Sequence, residues 1–185
     1  MILLACRVDN DQMTLLKKLT EFPQSSLYWL IYIIGGLALL AVALVYQYVF
    51  EELPCVVCIQ IRLWTALLVI VATLGLILRQ QLWPSMAAQL GVVLIAAGLI
   101  ERSYLLLGTE KGFVFGGCGF DVGLPSWFAI DQWLPRLFQV ETSCGYTPEL
   151  LFGVTMAESL MVLSVALAIV SISVFIASLI KRKFN

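Results

Sequence analysis

Apolar residues run through this chain in four long blocks, separated by shorter polar connections. Leu27–Phe50 carries no charge, with Tyr28 and Trp29 at its start and Tyr46 and Tyr48 at its finish. A helix needs ~20 residues to cross a bilayer, and Tyr and Trp favour its two interfaces. The second block covers 59–78: Leu63–Leu78, extended backwards through Ile59–Arg62. The third, 86–107, has Glu101 and Arg102 near its far end, where long side chains snorkel to the surface. The fourth lies within 152–180, holds Glu158 early, and is followed by Lys181-Arg182-Lys183. The pattern predicts an all-α membrane protein. Its four transmembrane helices form one bundle domain spanning 1–185, with a short first connection at 51–58 and a long second one at 108–151.

Composition narrows the class further. Hydrophobic residues make up 61% of the chain and mean hydropathy is +0.98, where soluble domains hold about 45–50% apolar residues. The net charge of -1 offers no footprint for nucleic acid. There is no histidine, so no imidazole is available as metal ligand, acid or base. Lys17-Lys18, Arg79 and Lys181-Arg182-Lys183 all fall on one side of the four-span arrangement, and most carboxylates fall on the other. Basic residues mark the cytoplasmic side. Both termini are therefore expected in the cytoplasm, and both connections with paired cysteines outside, where disulfides persist. In the polar Met1–Pro23 segment, Cys6 lacks the apolar stretch that a lipobox needs and is assigned no role; Met13 would make an ordinary start.

The candidate chemistry lies in Pro54-Cys55-Val56-Val57-Cys58-Ile59-Gln60-Ile61-Arg62. Two cysteines two residues apart can close a small ring or shuttle between dithiol and disulfide. Pro54 is expected to stop the first helix short of the pair. If the second helix starts near Cys58, that sulfur sits at the helix's positive end, with Arg62 one turn further on the same face. Both features favour a Cys58 thiolate.

The long connection holds Cys118, in Gly116-Gly117-Cys118-Gly119, and Cys144. Glycines keep Cys118 out of any stable helix. Between the cysteines, Pro125–Phe138 is strongly aromatic, and Ile130, Leu134, Leu137 and Phe138 recur at helical spacing. A short segment lying in the headgroup layer is expected there; an aromatic mini-core within the loop is the alternative. Four cysteines on one side also admit a zinc site, although Cys118 and Cys144 lack close ligand spacing. Inert stapling disulfides in a structural membrane protein would need neither Arg62 nor the glycines around Cys118.

Taken together, these residues resemble the disulfide bond formation protein B (DsbB) family of bacterial inner-membrane quinone reductases. The likeness runs from about Leu15 to the end. Tyr46-Gln47-Tyr48-Val49, Leu53-Pro54-Cys55-Val56-Val57-Cys58-Ile59 and Arg62 look like the family's first outer loop. Pro125-Ser126-Trp127, Asp131, Trp133, Pro135, Phe138 and Cys144 look like its second. Tyr48 stands where many members have His, and Glu158 is an acid where none is expected. Vitamin K epoxide reductases share the bundle, but their C-x-x-C follows the loop pair in sequence, whereas here it precedes it.

The resemblance implies a multi-pass protein of the bacterial inner membrane with periplasmic cysteine loops. It implies redox disulfides Cys55–Cys58 and Cys118–Cys144, and a periplasmic DsbA-like thioredoxin-fold partner that attacks Cys118. Cys144 would then reduce the Cys55–Cys58 bond at Cys55. Cys58, Arg62 and Gln47 would face the cofactor, ubiquinone or menaquinone. No metal is expected. Without histidine, protons for the quinol would come from water or a carboxylate, with Glu101 one candidate.

Overall fold

The computed structural model describes residues 25–114, 133–142 and 153–184; Cys6, Cys118 and Cys144 lie outside these residues. Helix α1 spans Ser26–Val49, α2 Val56–Leu78, α3 Leu82–Glu110, α4 the single turn Pro135–Phe138, and α5 Met156–Phe184. Among the described residues no strand forms, and one isolated bridge pairs Cys55 with Thr142. Four of the helices are long and apolar enough to cross a membrane: α1, α2, Trp83–Glu110 of α3 and Met156–Ile180 of α5. At 1.5 Å per residue, the 24 residues of α1 reach about 36 Å.

The protein is a four-helix membrane bundle. Its long helices pack in chain order: α1 on α2, α2 on α3, and α3 on α5. α1 and α5 form no comparable interface among the described residues. Large apolar side chains such as Ile34, Ile77, Val162 and Ile169 are more than half exposed. In water such a surface would drive aggregation; against lipid it is the expected exterior. Small residues allow the helices to approach. A Cβ at Gly75 of α2 would run into the ring of Trp29 on α1, and one at Gly98 of α3 would meet the Trp64 ring within 2.9 Å. Tyr28, Trp29 and Tyr32 stack edge to face at the start of α1, buried against α2.

The helix ends depart from the sequence-based bounds for local reasons. The second helix begins at Val56, three residues earlier than the expected 59, because Cys55 caps it. α1 stops at Val49, before Pro54 has any part in ending it. Phe50 is its C-cap, and Glu51 then takes a left-handed backbone at φ 56, while the Glu52 N–H returns to the Tyr46 carbonyl at 3.1 Å. α3 runs on to Glu110, and Gly112 at φ 75 turns the chain away. α5 starts at Met156 because Thr155 and Glu158 form a reciprocal capping box. The Glu158 N–H donates to Thr155 Oγ1 and the Thr155 N–H to Glu158 Oε2, both at 3.3 Å. The acid that is unexpected in the fourth span therefore defines that span's beginning, and it also pairs with Lys111 at the end of α3, at 2.8 Å.

Candidate redox site

Cys55 has an extended backbone, φ -85 and ψ 169, and its carbonyl accepts the Ile59 N–H at 3.0 Å. Its sulfur accepts the Cys58 N–H at 3.3 Å, and the two sulfurs lie 2.8 Å apart with no disulfide between them. Val56, Val57 and Ile59 are buried, so the first turn of α2 is anchored on both faces. Cys58 sits in the first turn of α2, near its positive end as expected, but it does not cap the helix. The N-cap sulfur is that of Cys55. The Cys55 thiol is pulled down to about 7, chiefly by the hydrogen bond from the Cys58 thiol and then by backbone N–H groups, against the opposing effect of burial. Cys55 is thus the member of the pair poised as a thiolate.

Arg62 is buried, 8% exposed. Its guanidinium donates to Gln47 Oε1 at 2.5 Å and the Ala43 carbonyl at 3.1 Å, both on α1, and to the Leu137 carbonyl of α4 at 3.2 Å. One side chain of α2 thereby ties three elements together. A planar fork with several N–H groups can satisfy separate acceptors in this way, and a point-like ammonium cannot. Gln47 orients Arg62 from behind.

A cavity of about 490 Å³ lies between α1, α2 and α5, where the bundle is not closed. Cys58, Ile61, Arg62 and Thr65 line it from α2; Leu39, Leu40, Ala43 and Tyr46 from α1; Met156, Ser159, Leu160 and Leu163 from α5. Glu51, Glu52, Leu53, Pro54 and Thr142 form its loop end. Gln47 is not among the lining residues. Nor is Glu101, which is largely exposed and pairs with Arg102 at 3.6 Å. Arg102 also donates to Gln60 Oε1 at 3.1 Å, so it braces α3 on α2 in addition to any snorkelling. The lining carboxylates are Glu51 and Glu52, which the sequence reading did not single out; their position became visible only once the end of α1 turned back over the cavity.

The second connection returns to the cysteine pair. Its Glu141 and Thr142 N–H groups both point at the Pro54 carbonyl, at 3.1 and 3.4 Å. Phe138 is buried against Ile59, with Leu63, Leu137 and Val140 around them, while Trp133 and Leu134 stay exposed. The described part of the aromatic segment is therefore half anchored in protein and half turned outward. Ile130 and the residues back to Pro125 lie outside the described residues.

A membrane bundle with a capped dithiol at one helix start, beside an apolar cavity and a buried arginine, defines a membrane thiol–disulfide protein. Residues 25–174 match the family described as "Disulfide bond formation protein DsbB". The chain is 35% identical over 133 residues to disulfide bond formation protein B 2 of Pseudomonas aeruginosa, covering 71% of this chain and 79% of that one. It is 30% identical over 159 residues to the protein B of Shewanella loihica, with 85% and 92% covered, and 29% identical over 181 residues to that of Vibrio parahaemolyticus, with 92% and 98% covered. The chain belongs to the DsbB family of membrane proteins of disulfide bond formation.

Proposed function

We propose that this chain reoxidises a periplasmic DsbA-like dithiol protein and passes the electrons to a membrane quinone, ubiquinone or menaquinone. The observation that carries this reading is the cavity in which Cys58 and Arg62 meet apolar residues of α1, α2 and α5. Its size and lining suit a flat ring with a hydrocarbon tail. Exposed Leu163 lines one wall, which leaves the lipid side accessible. A quinone held there would accept two electrons and two protons.

The chain's own residues supply the rest. Cys58 presents its sulfur to the cavity with Cys55 beside it, so that as the Cys55–Cys58 bond forms the two electrons and two protons leaving the thiols would pass to the quinone. Arg62 offers fixed positive charge where anionic oxygen or sulfur develops. Glu51 and Glu52 line the same space and can hand on protons, the role Glu101 is too remote to play. Thr142, two residues before Cys144 in sequence, pairs with Cys55, which supports Cys55 as the sulfur that the loop pair attacks. Cys118 is the partner-facing cysteine in this reading. Starts of α1, α3 and ends of α2, α5 share one end of the alternating bundle, which supports cytoplasmic termini in an inner membrane.

The test is a thiol-trapping gel on the purified protein. Reduced DsbA should convert both cysteine pairs to thiols, and a short-chain ubiquinone should reoxidise them. Pairs that stay oxidised with reduced DsbA, or stay reduced with quinone, would leave only stapling disulfides.

A further inference from the structure

Segment 136–142 of the second connection is fastened at three places, to the end of α1, to α2 and to the connection between them. The Tyr48 hydroxyl donates to the Arg136 carbonyl. Arg62 Nη1 donates to the next carbonyl, Leu137, at 3.2 Å. The Pro54 carbonyl then receives the Glu141 and Thr142 N–H groups. Arg136 and Leu137 belong to a helix of one turn, whose last carbonyls have no partner further along the helix. A phenol and a guanidinium occupy those two positions, and the guanidinium's charge complements the negative end of the turn. Buried Phe138, packed on Ile59, adds an apolar pin between the polar contacts.

Of these groups, Tyr48 is the one without another task. Its ring is more than half exposed, it does not line the cavity, and its described polar contact is the Arg136 carbonyl. We propose that Tyr48 is a positioning residue for electron transfer between the two cysteine pairs. Together with Arg62 it clamps the consecutive carbonyls of Arg136 and Leu137, and so keeps the chain that leads to Cys144 docked beside Cys55.

The proposal rests on the reading that electrons pass from the Cys118/Cys144 pair to the Cys55/Cys58 pair. That step is a double exchange. The Cys144 thiolate attacks Cys55 Sγ and expels the Cys58 thiolate. The Cys118 thiolate then attacks Cys144 Sγ and expels the Cys55 thiolate. One disulfide breaks, one forms, and two electrons with two protons move from the loop pair to the helix pair. The attack requires the incoming sulfur to be held near Cys55, and the clamp serves that approach without touching the reacting atoms.

The experiment uses full-length Tyr48→Phe, which loses only the hydroxyl of an exposed ring. Hydrogen exchange at the Glu141 and Thr142 amides should be roughly five-fold faster, the worth of one ordinary hydrogen bond. Thiol trapping after mixing with reduced DsbA, with quinone absent, should show the helix pair reduced more slowly, by up to the same factor. A third measurement uses the Cys118→Ser/Cys144→Ser background, with Cys55 and Cys58 reduced by dithiothreitol. There, the KM and rate for a short-chain ubiquinone should be the same with Tyr48 or Phe. Unchanged amide exchange, unchanged transfer between pairs, or equal slowing of the quinone step would each overturn the proposal. A wild-type protein that exchanges disulfides but reduces no quinone would overturn the quinone reading alone, because the first two measurements contain no quinone.

Discussion

The backbone N–H of Cys58 donates to the sulfur of Cys55 at 3.3 Å, so one cysteine of the pair caps the helix that contains the other. That arrangement assigns the two sulfurs different work: Cys55 takes the helix's free donors, and Cys58 faces the cavity.

The acidity of Cys55 follows chiefly from the hydrogen bond of the Cys58 thiol and then from this cap. Its pKa is lowered from 9.0 to about 7, so in the reduced protein Cys55 is mostly thiolate at pH 8. Thiolate absorbance of the reduced Cys118→Ser/Cys144→Ser protein should rise with a midpoint near 7. A folded pKa below the unfolded one means that the stabilisation is complete above about 9 and is lost as pH falls through about 7. The reduced protein should therefore melt at a higher temperature at pH 9 than at pH 7, and Cys55→Ser should remove both effects. A midpoint at the ordinary thiol value would reject both the Cys58 thiol and the cap as causes.

Arg62 serves three acceptors, so charge alone will not replace it. Arg62→Lys keeps a cation but cannot reach Gln47, Ala43 and Leu137 together. Arg62→Met leaves these acceptors without their donor, and each buried group left unpaired costs about 1–3 kcal/mol. Quinone-reduction kinetics on folded protein should show a several-fold higher KM for lysine and a larger rise for methionine. Methionine should also lower the melting temperature most. Wild-type kinetics in a well-folded methionine variant would take Arg62 out of the quinone site.

Gly75 is a point of close approach between α1 and α2. Any Cβ there collides with the buried Trp29 ring. Gly75→Ala should destabilise the bundle by about 1–3 kcal/mol, the usual cost of forcing an extra carbon into a filled core. Trp29→Phe in the same chain should recover part of the loss. Thermal unfolding in detergent measures both; equal melting of Gly75→Ala and wild type would show that the two helices are not held together here.

Glu51 is a non-glycine residue in the left-handed region at φ 56. Such a conformation costs a side-chain-bearing residue of the order of 1 kcal/mol, and glycine adopts it freely. Glu51→Gly should raise the melting temperature slightly, while removing one of the two carboxylates that line the cavity. If Glu51 hands on protons there, quinone reduction by this variant should slow most at high pH, where water-derived protons are scarcest. A more stable variant with an unchanged pH profile would assign the proton route to Glu52 or water.

Much of this protein was determined by its sequence alone. Four apolar runs of bilayer-crossing length admit only helices, because a backbone in lipid must satisfy its own hydrogen bonds. The C-x-x-C at the start of a span, with Arg62 one turn on, marked the chemistry before any fold was known, and the cysteine order pointed to the family. Tertiary structure decided the rest. Cysteine is not a usual helix cap, so nothing in the sequence announced that Cys55 would begin α2 and carry the acidic thiol. The sequence presents Arg62 as a partner for sulfur and quinone, yet its hydrogen bonds go to two backbone carbonyls and Gln47. Backbone acceptors leave no mark on a sequence, which also hid the role of Tyr48. The cavity exists because α1 and α5, far apart in the chain, flank α2 without closing on each other. Residue patterns report which face of a helix is apolar; which helix meets that face, and where a gap is left, is settled only when the side chains pack.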